Sequence, residues 1–114
     1  MVEVPQSRID WNLRRFRSAL VELRELLRRH DNEHWAQWAD RALTRLDAGD
    51  AAGLDYWLDA YGGMGSINDL SINWSGSLSP DREQAVYERI EELRGLCYSL
   101  AAQLKVDIQE SRQQ

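Results

Sequence analysis

Residues 9–27, IDWNLRRFRSALVELRELL, place Ile9, Leu13, Phe16, Leu20, Leu23 and Leu27 at steps of 4, 3, 4, 3 and 4. That spacing puts all six on one face of a helix turning every 3.6 residues, and no strand period accounts for it. Near the other end, Val86, Ile90, Leu93, Cys97, Leu100, Leu104 and Ile108 step by 4, 3, 4, 3, 4 and 4. Two long amphipathic helices with matching stripes predict an α-helical bundle with these as its spine.

Working inward, Ser7 with Asp10 three residues on predicts a capping box at the start of the first helix, with Pro5 just outside it. His30-Asp31-Asn32 breaks that helix, and Asp31 or Asn32 is placed to cap a second one with Trp35, Trp38, Ala42 and Leu46 on one side. Gly49 ends the second helix and Asp50 caps a short third over residues 51–61, with Leu54, Trp57, Leu58 and Tyr61 facing the core. Residues 70–74 alternate apolar and polar, which predicts a short extended segment. Ser79 and Pro80 read as an N-cap followed by proline at the first helical position of the last helix. The expectation is one all-α domain over residues 1–114, about four helices, with 1–6 and 110–114 as flexible ends.

At 114 residues the chain suits a single core. Its 29% charged residues provide a solvated surface beside 43% hydrophobic content, which argues for folding rather than disorder. Residues 1–6 have neither the basic nor the apolar run of a secretory leader, and no stretch approaches the roughly 18 apolar residues of a membrane span. A cytoplasmic location is expected, without membrane association. Cys97 is the lone cysteine and falls in an apolar stripe, so it reads as an inert core thiol.

The net charge of -5 is uneven. Residues 1–30 carry seven Arg against four acids, and residues 31–78 carry two Arg against eight acids. An acidic middle disfavours direct contact with a nucleic-acid backbone and suits a basic protein partner. Arg14, Arg17, Arg24 and Arg28 flank the first stripe while Glu88, Glu91 and Glu92 flank the last, which predicts ion pairs between those two helices. The middle also holds Trp35, Trp38, Tyr56, Trp57, Tyr61 and Trp74, more rings than a small bundle readily buries. Aromatic anchors beside carboxylates describe a docking face, and Trp35, Trp38, Asp47, Asp50, Asp55, Tyr56, Asp59 and Trp74 are its candidate residues.

Catalytic chemistry has weaker support. His30 to His34 spells H-x-x-E-H, the order of an inverted zinc-protease motif, but the helix boundary expected at Asp31-Asn32 spoils the helical spacing of the two imidazoles. The glycine run Gly62-Gly63-Met64-Gly65 lacks the Lys-Ser/Thr of a phosphate-binding loop and does not follow a strand. No catalytic residue, metal or cofactor is assigned on this reading. A small enzyme or metal-dependent hydrolase using His30, Glu33 and His34 or the loop carboxylates stands as an alternative. So does a structural homodimer.

Gly62, Gly63, Met64, Gly65, Ser66, Asn68 and Asp69 form a structural or ligand-binding loop, in which Asn68 and Asp69 are placed to accept backbone N–H bonds as a clasp. Residues 61–70, with Ile72 and the polar run into the last helix, resemble small uncharacterised bacterial proteins bearing a G-G-M-G-S-hydrophobic-N-D-L signature. The resemblance covers about residues 50–108 and carries no mechanism. Small acidic helical chains of this kind are also similar to immunity proteins. That analogy implies a non-catalytic antitoxin that covers a basic toxin domain.

Overall fold

The computed structural model describes residues 5–62, 65–74 and 76–113. Four α-helices carry the fold: α1 (Gln6–Arg29), α2 (Glu33–Asp47), α3 (Ala52–Leu58) and α4 (Pro80–Arg112). Single 3-10 turns follow at Asp59–Tyr61 and Ile67–Asp69, and there is no strand among the described residues. The architecture is an all-α bundle, 54 Å along its longest axis, a length close to that of 33-residue α4 at about 1.5 Å per residue.

Both predicted stripes form the core. Ile9, Phe16, Leu20, Leu23 and Leu27 of α1 are buried with Leu13 packed against them, and Ile90, Leu93, Cys97, Leu100 and Leu104 of α4 complete the other side. Ion pairs fix the sense of packing. Arg8 reaches Asp107 and Arg89 reaches Glu22, so α1 and α4 run antiparallel. Arg17 meets Asp47 while Arg28 meets Glu33, so α2 returns antiparallel along α1. The shorter α3 closes the bundle by packing on α2 and α4.

Each corner has a local cause. Asp31 takes the left-handed conformation at φ 61°, and the Asn32 side chain accepts from Trp35 N–H at 3.5 Å to open α2. Gly49, at φ 78°, ends α2, with its N–H donating to Leu46 O at 2.9 Å. Asp50 Oδ1 then accepts Ala52 N–H at 2.9 Å, and Ser79 Oγ accepts Arg82 N–H at the start of α4. Residues 70–74 carry no regular secondary structure, with Leu70 buried and Ile72 packed on the core.

Three expectations are corrected. Ser7 does not cap α1: the helix begins at Gln6 behind Pro5, whose ring presets the entry, and Asp10 accepts from the Gln6 side chain instead. The helices also reach further than the expected flexible ends, from Gln6 to Arg112. Of the four α1 arginines expected to pair with α4, three pair with α2. Arg17, Arg24 and Arg28 lie on the flank along which α2 returns, and meet Asp47, Asp40 and Glu33 with Asp40. Glu91 and Glu92 pair within α4, Glu88 accepts from Gln84, and Arg14 has no ion pair among the described residues.

Candidate protein-docking site

On α2, Trp38 falls one turn beyond both Trp35 and His34, at i+3 and i+4, so its ring lies within reach of theirs. His34 meets Trp35 edge-on at 4.6 Å between centroids, and Trp35 meets Trp38 at 5.3 Å. Trp38 then stacks on Tyr56 of α3 at 4.8 Å and 22°, while its Nε1–H donates to Tyr56 O at 2.9 Å. The Arg45 guanidinium sits 4.5 Å from the centre of the Tyr56 ring, and Arg41 Nη1 donates to its hydroxyl at 3.4 Å. Aromatic and cationic groups thus form a continuous ladder joining α2 to α3.

The expected anchors divide within this ladder. Trp38 and Tyr56 are half-buried, with part of each ring at the surface. Trp35 is only 8% exposed and belongs to the core, as does Trp57. Their positions on the inward faces of α2 and α3 decide this, so Trp35 supports the ladder from beneath and is corrected as an anchor. Trp74 is also half-buried and packs edge-on against His30 at 5.2 Å, beside the α1–α2 corner.

The acidic residues are more committed than their exposure suggests. Asp47 accepts two bonds from Arg17, at 2.8 and 2.9 Å, and this guanidinium holds its carboxyl below the usual range. Asp55 lies 2.6 Å from Lys105, and Asp50 is spent on the α3 corner. Burial works against the charge of Asp40, yet Arg28 and Arg24 still hold its carboxyl below the usual range. Among the described residues of the acidic middle, Asp31 and Asp59 keep exposed carboxylates with no ion pair or side-chain hydrogen bond.

The glycine loop is pinned to itself and to α4. Gly65 has φ 76°, and its N–H donates to Asp69 Oδ2 at 3.0 Å, the clasp expected of Asp69. Asn68 plays the opposite role to the one expected: its Nδ2 donates to Tyr61 O at 3.4 Å. Ser66 Oγ accepts Asn68 N–H, and Gly62 leaves the Asp59–Tyr61 turn in extended conformation. Below, Arg94 Nη1 donates to Ile67 O at 3.1 Å and the Tyr61 hydroxyl donates to Arg94 O at 2.6 Å. Burial above all pushes the Tyr61 phenol up, which keeps this donor protonated. Gly63 and Met64 lie outside the described residues.

His30 and His34 are parted by the left-handed turn at Asp31 and packed on different tryptophans, while Glu33 is held by Arg28. Among the described residues no cluster of three or more His, Cys, Asp or Glu side chains gathers. Burial pushes the Cys97 thiol up to about 12, in keeping with a core role. No helix among the described residues is long and apolar enough to cross a membrane.

Two features escaped the sequence reading. Arg41 and Arg45 join the ladder because they stand one and two turns beyond Trp38, a helical spacing visible in sequence, but their meeting with Tyr56 depends on how α3 docks. Trp11 is 57% exposed. It lies opposite the α1 stripe, which a helical projection of residues 9–27 reveals.

Residues 28–79 match a family described as a domain of unknown function (DUF6966). The match covers the end of α1, then α2, α3 and the clasped loop, and stops at the N-cap of α4. Neither a curated protein nor a solved structure matches the chain.

Proposed function

We propose that this chain is a protein-binding module that neutralises a partner by covering it, most concretely an immunity or antitoxin protein against a basic toxin domain. The observation that carries the reading is the half-exposed Trp38–Tyr56 stack, braced by buried Trp35 and carrying Arg45 on its face. Stacked rings held in place before binding lose little side-chain entropy on contact, and Trp and Tyr are the residues that most often dominate an interface. Both lie within the matched segment. The excess of acids in residues 31–78 supplies long-range attraction, with unpaired Asp59 and Asp31 contributing more than Asp47 and Asp55, whose charge is met by Arg17 and Lys105.

The test is rescue of cells expressing the toxin that co-purifies with this chain from its native host, with affinity measured in parallel. Tyr56→Ala and Trp38→Ala are expected to cost about 2 kcal/mol of affinity each in variants whose thermal melts remain cooperative. His30→Ala, His34→Ala and Asp69→Asn should keep rescue. A histidine variant that folds and binds but no longer rescues would replace occlusion with enzymatic reversal of the toxin's product.

A further inference from the structure

Trp11, Arg15, Ser18, Glu22, Glu25 and Arg29 step along α1 by 4, 3, 4, 3 and 4 residues, the rhythm of the core stripe displaced by two positions. Two residues turn a helix by about 200°, so this second stripe lies directly opposite the core. All six are exposed except Glu22, which is half-buried. Beside the stripe, an open groove of about 390 Å³ between α1 and α4 is floored by Ala19, Leu93 and Leu96. Trp11 is the most exposed large hydrophobic residue described, the only side-chain bond of Arg15 is to Asn12 at 3.2 Å, and Arg29 has no side-chain partner among the described residues.

The order of charges along this face is self-complementary in one orientation. Laid parallel, two copies would set Arg15 on Arg15 and Glu25 on Glu25. Laid antiparallel about a two-fold axis at Leu20, Arg15 of each copy meets Glu25 of the other, Ser18 meets Glu22, and Arg29 comes over Trp11. Arg15 and Arg29 have no ion pair among the described residues of the single chain; here Arg15 gains one with Glu25, which also accepts from Arg24 at 3.0 Å, and Arg29 gains a cation–π contact with Trp11. Small Ser18 beside the axis lets the two helices approach closely.

We infer that the outer face of α1 is covered by a second, antiparallel copy of this chain. The contact is mostly polar, which makes the dimer reversible and weakened by salt. It leaves the Trp38–Tyr56 face free, so it neither requires the docking reading nor falls with it.

Sedimentation velocity on the full chain in low salt, over about two decades of micromolar concentration, tests the arrangement. The wild type should pass from monomer to dimer across that range. Arg15→Glu and Glu25→Arg should each weaken association by about tenfold or more, because each sets two like-charged contacts across the axis. The combined Arg15→Glu/Glu25→Arg chain should dimerise again, since the reciprocal pair is restored with its signs exchanged. Both positions of the test are on the surface, and circular dichroism verifies that the three variants stay helical. A wild type that remains monomeric throughout, single variants that associate as the wild type does, or a combined variant no better than the singles would each overturn the inference.

Discussion

Between α1 and α4 the chain relies on two uninterrupted apolar stripes, pinned near the ends by Arg8–Asp107 and Arg89–Glu22. From α2 to the start of α4 it relies instead on corners. Asn32, Gly49, Asp50, Gly65 and Asp69 each satisfy one backbone requirement, and the rings of Trp38 and Tyr56 tie neighbouring elements together. Burial in the first region is spread over many similar side chains. In the second, the fold depends on a few positions where geometry rather than area decides, and the proposed docking face is built there.

The sharpest way to break this contrast is to remove one large fully buried ring from each region. Phe16 belongs to the spine and Trp57 to α3, and neither has measurable exposure. Phe16→Ala and Trp57→Ala should each destabilise the protein by about 3–5 kcal/mol, measured by urea unfolding. Comparable losses mean one cooperative core. A Trp57→Ala variant that loses less than about 1 kcal/mol while Phe16→Ala loses its full amount would show α3 to be an appendage on an α1–α2–α4 bundle.

A second comparison lies within the corner-built region and separates crowding from backbone strain. A Cβ at Gly53 would meet Ala42 O at 2.9 Å and Leu46 Cγ at 3.0 Å, so α3 crosses α2 there as closely as a glycine permits. Gly53→Ala should therefore push the helices apart and cost about 1–3 kcal/mol. At Gly65 a Cβ meets nothing within 4 Å, but φ is 76°. Gly65→Ala is limited to strain of about 1 kcal/mol, and Gly65→Asn, which tolerates the left-handed region, should lose less. Thermal melts rank the three. If Gly65→Ala proved the more damaging, the clasped loop and not the α2–α3 crossing would be the critical joint.

How much of this was legible in sequence follows the same division. Apolar periodicity is a property of one helix at a time, so the stripes of α1 and α4 and the caps at Asn32 and Ser79 could be read directly, while Asp50 accepts from Ala52 one position ahead of the α3 N-cap, Ala51. Partner choice is not local. Arg24 and Arg28 could not be assigned to Asp40 without knowing on which flank α2 returns, and the buried place of Asp107 depends on Arg8 of α1 reaching it. The same limit applied to the tryptophans: Trp35 and Trp38 sit three residues apart, and which of them faces inward is set by how α2 packs on the rest of the bundle. In the loop, Asp69 was readable because an Asx side chain reaches backbone close by in the chain. The donor role of Asn68 was not, because its acceptor at Tyr61 lies seven residues back.

The smallest effect expected concerns charge, and it distinguishes the two interfaces of α1. The Arg89 hydrogen bond chiefly holds Glu22 below the usual carboxylate range, and Arg17 does the same for Asp47. At Asp40 burial opposes the charge, but Arg28 and Arg24 prevail. A carboxyl whose folded pKa lies below its unfolded value stabilises the fold fully above the unfolded value, about 4, and loses that contribution as pH falls through the folded one. Thermal midpoints in low salt should therefore hold from pH 7 to about 5 and decline below about 4, with a shallower decline in high salt. Because two such carboxyls, Asp40 and Asp47, lie between α1 and α2 and one, Glu22, between α1 and α4, the combined Arg17→Gln/Arg28→Gln chain should flatten the acid limb more than Arg89→Gln. Equal flattening would mean that neither interface of α1 depends on charge more than the other. An acid limb unchanged in both variants would assign acid unfolding to groups outside these pairs.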